Sequence, residues 1–229
     1  MHRARRRRGF TMIELMVVIG VLGLLAAAAV PSWRAVTANN RLRDAAGDVA
    51  DALAVARGRA IASGNYFVVY FNTGLNSGED VCGNALEDLN GNPVPILILD
   101  DGPPGGGNTN CCIDAGEEFE TLPAAPVVQW GVDFAAAAAP GDADPALNFA
   151  AGSSFTDPAG AATEWVAFRP DGIPLGFADT GGACTPGQTG TGGGAIYVNN
   201  DRRDIAVVLS PLGAVKVHMF ERTGAAWTN

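Results

Sequence analysis

The chain has 229 residues, enough for one domain of ordinary size with an anchoring or targeting segment, and short for two independent cores. Five of its fifteen basic residues lie within the first eight positions; from residue 10 onward there are 10 basic and 24 acidic residues, a net charge of −14. A domain this acidic repels phosphate backbones, which disfavours broad binding to nucleic acid.

The N-terminal segment joins an arginine cluster to an apolar run. From Leu15 to Trp33 there are nineteen residues without a charge, about the length of a helix that crosses a bilayer core. Glu14 stands at the start of this run, although an unpaired charge in hydrocarbon costs a few kcal/mol or more. A secretory signal peptide cleaved near residues 26–29 and a plain transmembrane anchor are the ordinary interpretations. The acid and the continuing helical pattern count against the signal peptide.

The stretch Gly9-Phe10-Thr11-Met12-Ile13-Glu14, with its basic leader and the apolar helix behind it, resembles the class III leader of type IV pilins and type II secretion pseudopilins. The resemblance covers about the first sixty residues. It implies cleavage after Gly9 by a prepilin peptidase on the cytoplasmic face and N-methylation of the new terminal Phe10. It also implies a single pass through the bacterial inner membrane, with the head in the periplasm, before the subunit enters a filament.

In a filament, the acid at position 14 would have a partner of opposite charge. In a core of packed helices, the Glu14 carboxylate can meet the terminal amine of Phe10 on a neighbouring subunit. The net energy of such a buried pair is small, but either charge left alone is strongly unfavourable. Glu14 is therefore predicted to set the register between subunits.

Apolar residues continue at spacings of three and four from Leu42 to Ala60, which indicates an amphipathic helix. The pattern predicts one helix from about Thr11 to Ala62, ended by Gly64 in a left-handed cap. Pro31 either kinks this helix or marks the membrane boundary. The predicted divisions are a leader at 1–9, a transmembrane and filament-core helix at 10–33, its amphipathic continuation at 34–65 and a β-rich head at 66–229.

The remainder of the chain favours strands separated by loops rich in Gly, Pro, Asn and Asp. Strands are predicted at residues 66–71, 94–99, 127–134, 165–169, 195–199, 205–210 and 214–220. The fold class is therefore α+β: a long N-terminal helix against a mainly antiparallel head of two small sheets or a sandwich. The junction at 56–71, the turn at 168–172 and the closing hairpin at 206–220 resemble minor pseudopilins of the GspH/FimT type.

Four cysteines occur, and their spacing offers no C-x-x-C pair for zinc. Outside the cytoplasm, disulfides are the expected state. Because adjacent cysteines rarely bond each other, one of Cys111 and Cys112 is predicted to pair with Cys82 and the other with Cys184.

Catalysis is not expected. Only two histidines exist; His2 would leave with the leader, and His218 alternates with Lys216 and Phe220 along a strand, which predicts a surface side chain. The glycine tract at 189–194 lacks the lysine and the strand–loop–helix context of a phosphate loop.

Acidic loops are the remaining candidates for a ligand site. Asp88, Asn90, Asp100 and Asp101 could converge on calcium, although the twelve-residue EF-hand pattern is absent and a solvated acidic loop is the alternative. No other cofactor is expected. DNA binding is disfavoured by the charge, and the closing hairpin carries one cation, Lys216, although arginines at 202, 203 and 222 lie nearby in sequence.

These patterns predict a minor pilin or pseudopilin, processed by the prepilin peptidase/N-methyltransferase and incorporated at or near a filament tip to prime assembly. Its partners would be other minor pseudopilins and the major pseudopilin or pilin, met through the N-terminal helix. The sequence does not separate a type II secretion system from a type IV pilus. The alternative is a membrane-anchored extracytoplasmic binding domain for calcium or DNA.

Overall fold

The computed structural model describes residues 10–106, 109–122, 128–142, 148–179 and 184–228. The chain divides into two compact units, Met1–Asn40 and Arg41–Asn229. The predicted leader, including Gly9, lies outside the described residues.

One helix, α1, spans Met12–Ser63. At its start the Thr11 hydroxyl oxygen accepts a hydrogen bond from the amide of Glu14 at 3.3 Å, as an N-cap does. At its end Gly64 has φ of 76°, and its amide donates to the carbonyl of Ala60. The predicted helix and its cap are thus confirmed to within a residue. The backbone is helical across Pro31, and the predicted kink stays a prediction.

Among the described residues, no helix combines the length and the apolar character needed to cross a membrane.

Twelve strands are described after the helix. They are β1 Phe67–Phe71, β2 Ile96–Asp100, β3 Phe119–Leu122, β4 Gln129–Trp130, β5 Trp165–Phe168, β6 Pro174–Leu175, β7 Phe177–Asp179, β8 Cys184–Pro186, β9 Gly194–Asn199, β10 Asp204–Leu209, β11 Val215–Glu221 and β12 Ala226–Thr228; a 3₁₀ turn lies at Asn148–Ala151. They form a five-stranded sheet in the order β3-β2-β1-β5-β6, a second in the order β12-β11-β10-β9-β4, and the pair β7-β8. Every pairing among these strands is antiparallel.

The core lies between the two large sheets and the part of α1 within the second unit. Buried helix residues at three- and four-residue spacing, from Leu42 to Ala60, contact one face of each sheet. A second cluster, which includes Tyr70 and Trp165, covers the other face of the β1 sheet, and a third, around Tyr197, covers the other face of the β10 sheet. The central strands β1, β2, β5, β9 and β10 are therefore buried on both faces, which explains why they are runs of mainly apolar residues.

The α+β class and the two sheets are confirmed. One strand prediction, at 127–134, is reduced to Gln129–Trp130. The chain turns at Gly131, whose φ is 94°, and the amides of Asp133 and Phe134 donate to the carboxylate of Asp204 instead of to a neighbouring strand.

Candidate functional site

The first part of α1 presents an apolar surface with one charge. Phe10 is 76% exposed, and the large apolar side chains from Met12 to Leu25 are exposed on every side of the helix. Glu14 is exposed among them and is the single charged residue between Phe10 and Trp33. Exposed apolar patches of this kind mark surfaces that another apolar body covers.

Thr11 is the N-cap of the helix, a role that was not among the predictions from the sequence. The pattern Thr-x-x-Glu at residues 11–14 is the signature of a capping box, and the structure uses the threonine hydroxyl as the cap of the Glu14 amide. The cap fixes the first turn of the helix, so the backbone of Glu14 is held while its carboxylate stays exposed.

A helix arginine holds two turns of the head, one after β5 and one between β10 and β11. The Nε of Arg57 donates to the carbonyl of Gly172 at 3.0 Å, and its Nη1 donates to the carbonyl of Gly213 at 2.8 Å. Both glycines have positive φ, 77° and 83°. A Cβ at Gly172 would lie 2.6 Å from the Cδ1 of Ile61, and one at Gly213 would lie 3.0 Å from the Cζ of Arg57. Glycine is therefore required at both turns, on steric and conformational grounds.

The cysteines agree with the predicted pattern as far as they are described. Cys82 and Cys112 form a disulfide, with Cα atoms 5.7 Å apart. Cys111 is buried and is also disulfide-bonded, and its carbonyl accepts a hydrogen bond from the hydroxyl of Tyr70. The side chain of Cys184 lies outside the described residues, so its pairing with Cys111 stays a prediction.

Asp88 organises its own loop. Its carboxylate accepts hydrogen bonds from the amides of Asn90 at 2.8 Å and Asn92 at 2.9 Å, and the bonds from Asn92 lower the pKa of Asp88. Asn90 contributes its backbone amide to this turn. Among the described residues, no group of three or more His, Cys, Asp or Glu side chains is placed to hold a metal ion. Calcium binding at the four predicted residues stays an untested prediction.

Asp100 is the last residue of β2 and Asp101 follows it, and the two carboxylates have different partners. Asp100 accepts hydrogen bonds from the side-chain amide of Asn65 and from the amide of Gly102. Asp101 is fully buried, and its Oδ1 accepts from the amide of Cys111 at 2.7 Å. Its Oδ2 has no hydrogen-bond partner among the described residues. Burial raises the pKa of Asp101 to about 7.

The prediction that His218 is a surface side chain is wrong. His218 is 4% exposed, and neither ring nitrogen has a hydrogen-bond partner among the described residues. The ring lines a cavity of about 580 Å³ together with Pro140, Val208 and Trp227, because the loop at 139–142 and the side chain of Trp227 lie over this face of the sheet. Burial, and then the charge of Lys216, lower the pKa of His218.

Comparisons with known proteins match part of the chain. The family described as "Prokaryotic N-terminal methylation motif" matches residues 4–30. Two fimbrial proteins of Pseudomonas aeruginosa are 39% identical over 64 residues, which is 28% of this chain and 41% of each relative. A type IV major pilin protein PilE1 of Neisseria gonorrhoeae is 33% identical over 98 residues, 42% of this chain and 41% of the relative.

The chain thus spans about two fifths of the length of these relatives. No solved structure matches it. None of the matches tests the likeness of the head to the GspH/FimT type, which stays a prediction. The chain therefore carries a methylation motif at residues 4–30 and is similar to type IV pilins over part of its length, and its described residues form one long helix followed by antiparallel sheets.

Proposed function

We propose that the protein is a minor pilin or pseudopilin, a non-enzymatic subunit of a filament whose core is a bundle of N-terminal helices. The observation that carries the proposal is the apolar surface of the first helical unit, exposed from Phe10 to Leu25 and interrupted by Glu14 alone. The matched methylation motif lies on the same residues. Lipid before assembly, and neighbouring helices in the filament, keep this surface out of water, where its exposure would cost about 25 cal/mol per Å² of apolar area.

Processing creates the partner that Glu14 requires. Removal of residues 1–9 by the prepilin peptidase/N-methyltransferase gives Phe10 a free, methylated amine. In the assembled core this amine of one subunit lies against the Glu14 carboxylate of the next. Subunits that dock in another axial position leave both charges buried and unpaired, at a cost of several kcal/mol, so the pair sets the register.

Before assembly the subunit is held in the inner membrane by its N-terminal helix, with the head in the periplasm. A disulfide between Cys82 and Cys112 suits an oxidising compartment. Other minor pseudopilins and the major pseudopilin or pilin are its partners along the helix. The turns at Gly172 and Gly213, both bound by Arg57, are the part of the head that favours the tip-located, assembly-priming GspH/FimT type.

Processing is tested first. The protein is extracted from its native membranes, and its N-terminal peptide is identified by mass spectrometry. A terminus at N-methylated Phe10 is expected. An intact arginine leader on the native chain contradicts the proposal, since the amine would then not exist at that position.

The register role is tested with variants of one side chain. Glu14→Gln keeps the shape of the side chain without its charge, and Glu14→Asp keeps the charge. We expect Glu14→Gln to be processed normally and to lose incorporation into the filament fraction by about tenfold or more, with Glu14→Asp retaining part of it. Wild-type incorporation of Glu14→Gln would refute the charge-register mechanism.

A further inference from the structure

The cavity of about 580 Å³ next to His218 is built from three parts of the second unit. Its floor is the face of β10 and β11 that points away from α1, where Val208 and His218 are buried. The loop at 139–142 forms one wall, and the side chain of Trp227 forms another. The volume is within the range of sites that hold small organic ligands.

Hydrogen bonds fix the walls of this cavity. The indole Nε1 of Trp227 donates to the carbonyl of Ala137 at 2.9 Å, and the indole packs against Tyr197 with ring centroids 5.8 Å apart. The amide of Ala139 donates to the Tyr197 hydroxyl at 3.0 Å, and that hydroxyl donates to the carboxylate of Asp142. The loop and the indole are therefore tied to each other and to the sheet, so the cavity is formed without a ligand.

His218 is an unpaired polar group in the cavity floor. The side chain is 4% exposed, and neither ring nitrogen has a hydrogen-bond partner among the described residues. A buried polar group without a partner is costly, and in native proteins it usually has one. The ring lines the cavity, and a turn about χ2, a broad torsion for histidine, brings a ring nitrogen to a ligand there. Because its pKa is lowered, the imidazole is neutral at pH 7 and offers one N–H donor and one acceptor.

The charge at the mouth of the cavity favours an anion. Lys216 is exposed on the same face of β11 as His218, and no Asp or Glu is among the residues described as lining the cavity. Asp142, at the end of the covering loop, already accepts hydrogen bonds from the hydroxyls of Ser154 and Tyr197. Within the described part of the chain, Lys216 makes no ion pair. In a strongly acidic chain, this cationic mouth is a local exception.

These groups select a carboxylate on an apolar body. One ammonium and one imidazole N–H provide a donor for each of the two oxygens of a carboxylate. A phosphate group has three acceptor oxygens and more charge, and the described lining holds no arginine to bind it. The indole of Trp227, with Pro140 and Val208, offers an apolar surface to the rest of the ligand.

We propose that this cavity binds a carboxylate attached to an aromatic or large aliphatic group, the chemistry shared by the C-terminal residue of a polypeptide and a free carboxylic acid. The ammonium of Lys216 pairs with the carboxylate at the mouth, and His218 donates to it from the floor. The apolar group lies against Trp227. The site belongs to the head and does not depend on the proposed assembly through the N-terminal helix.

Two isotope labels report on the site in the full-length chain. Lys216 is the chain's single lysine, and His2→Gln, in the predicted leader, leaves His218 as the single histidine. The labelled protein in detergent is titrated with N-acetylphenylalanine and followed by NMR. We expect the Lys216 and His218 signals to shift together and to saturate with one Kd. The matching amide, which has the same shape without the charge, should bind about tenfold more weakly. N-acetylglycine and inorganic phosphate should leave both signals unchanged.

Variants of the two polar groups test their roles. Lys216→Gln removes the charge of an exposed side chain and should weaken binding by about tenfold, read at His218, whereas Lys216→Arg should retain most of the affinity. His218→Leu, read at Lys216, should also weaken binding by about tenfold. Arg169→Gln changes an exposed cation outside the cavity and is the matched control, which should bind as wild type does. Unchanged affinity in Lys216→Gln overturns the proposal, and this comparison holds even where leucine at 218 destabilises the fold.

The remaining outcomes identify the source of the carboxylate or refute the site. A tripeptide that ends in phenylalanine binds more tightly than N-acetylphenylalanine if polypeptide C-termini are the ligand, and less tightly if free acids are. Either order supports the proposal. The absence of a saturable shift with both compounds means that water alone fills the cavity, and equal affinity for the acid and its amide means that the charge is not recognised. Each of these two results overturns the inference.

Discussion

The guanidinium of Arg57 donates a hydrogen bond to the carbonyl of Gly213 at 2.8 Å, across 156 residues of sequence. Together with its bond to Gly172, it fixes two turns of different sheets to the helix. This one side chain therefore links three elements that the chain order separates.

Replacing this arginine should destabilise the second unit. Arg57→Ala leaves two carbonyl groups without their charged donor, which we expect to lower the free energy of unfolding by about 2 kcal/mol in denaturant titrations of the full chain. Arg59→Ala, two residues away, removes an exposed ion pair with Glu120 and should cost less than about 1 kcal/mol. Equal losses in the two variants would mean that Arg57 does not hold the turns.

Asp101 should make the protein less stable as the pH rises from about 4 to 7. Its folded pKa of about 7 lies above the ordinary value of 3.8, so within this window the folded state binds more protons than the unfolded state. Asp101→Asn keeps an acceptor for the amide of Cys111 and cannot ionise. Between about pH 4 and pH 7, the free energy of unfolding of Asp101→Asn should rise by about 2 kcal/mol relative to that of wild type, after allowance for solvent screening.

The matched control for this titration is Asp100→Asn, next in sequence. Unfolding free energies at about pH 4 and about pH 7 are compared for wild type and both variants. A pH dependence that is the same in Asp101→Asn and wild type would show that this carboxyl group does not carry the effect.

His218 should have the opposite effect from Asp101, making the protein less stable as the pH falls. Its folded pKa is depressed below the ordinary 6.5, so the unfolded state binds the proton first, and stability is lost as the pH falls below about 6.5. His218→Leu removes the titration without breaking a hydrogen bond that the described residues make. Both proteins compared carry Asp101→Asn. Between about pH 7.5 and pH 5, we expect the free energy of unfolding to fall less when His218 is replaced by leucine than when it is kept. An unchanged loss would contradict this assignment.

The cysteines give a covalent prediction. Non-reducing peptide mapping should find Cys82 joined to Cys112, as the structure has them, and Cys111 joined to Cys184. The double substitution Cys82→Ser/Cys112→Ser opens a loop whose ends are 30 residues apart. It should lower the free energy of unfolding by about 3 kcal/mol. A peptide that joins Cys82 to Cys111 would contradict the described pairing.

Local patterns predicted the helix and the central strands. The spacing from Leu42 to Ala60 and the glycine at 64 define the end of α1. Strands β1, β2, β5, β9 and β10 coincide with runs of mainly apolar side chains, and β11 coincides with an alternating run. The leader motif likewise needs no tertiary information, because Gly9, Phe10 and Glu14 are neighbours in sequence.

Features that depend on distant partners were not predictable. Strand β3, Phe119–Leu122, lies in an acidic stretch whose charges conceal its alternation, and it forms because β2 offers an edge. Glu164 is fully buried and accepts hydrogen bonds from Thr73, Leu75 and Asn76, which lie 88–91 residues away. No spacing rule connects such partners. The error at His218 has the same origin: alternation gives the face of a strand, and a loop distant in sequence decides whether that face meets water.

The burial of the central strands on both faces has a consequence for handling the protein. Segments such as FVVYF, ILILD and DIAVVL are short and strongly β-forming, and they carry little charge. In an unfolded chain such segments pair with their equivalents on other chains. Recovery of native protein from denaturant should therefore fall steeply as the chain concentration rises, and dilute refolding with the Cys82–Cys112 bond intact should give the best yield.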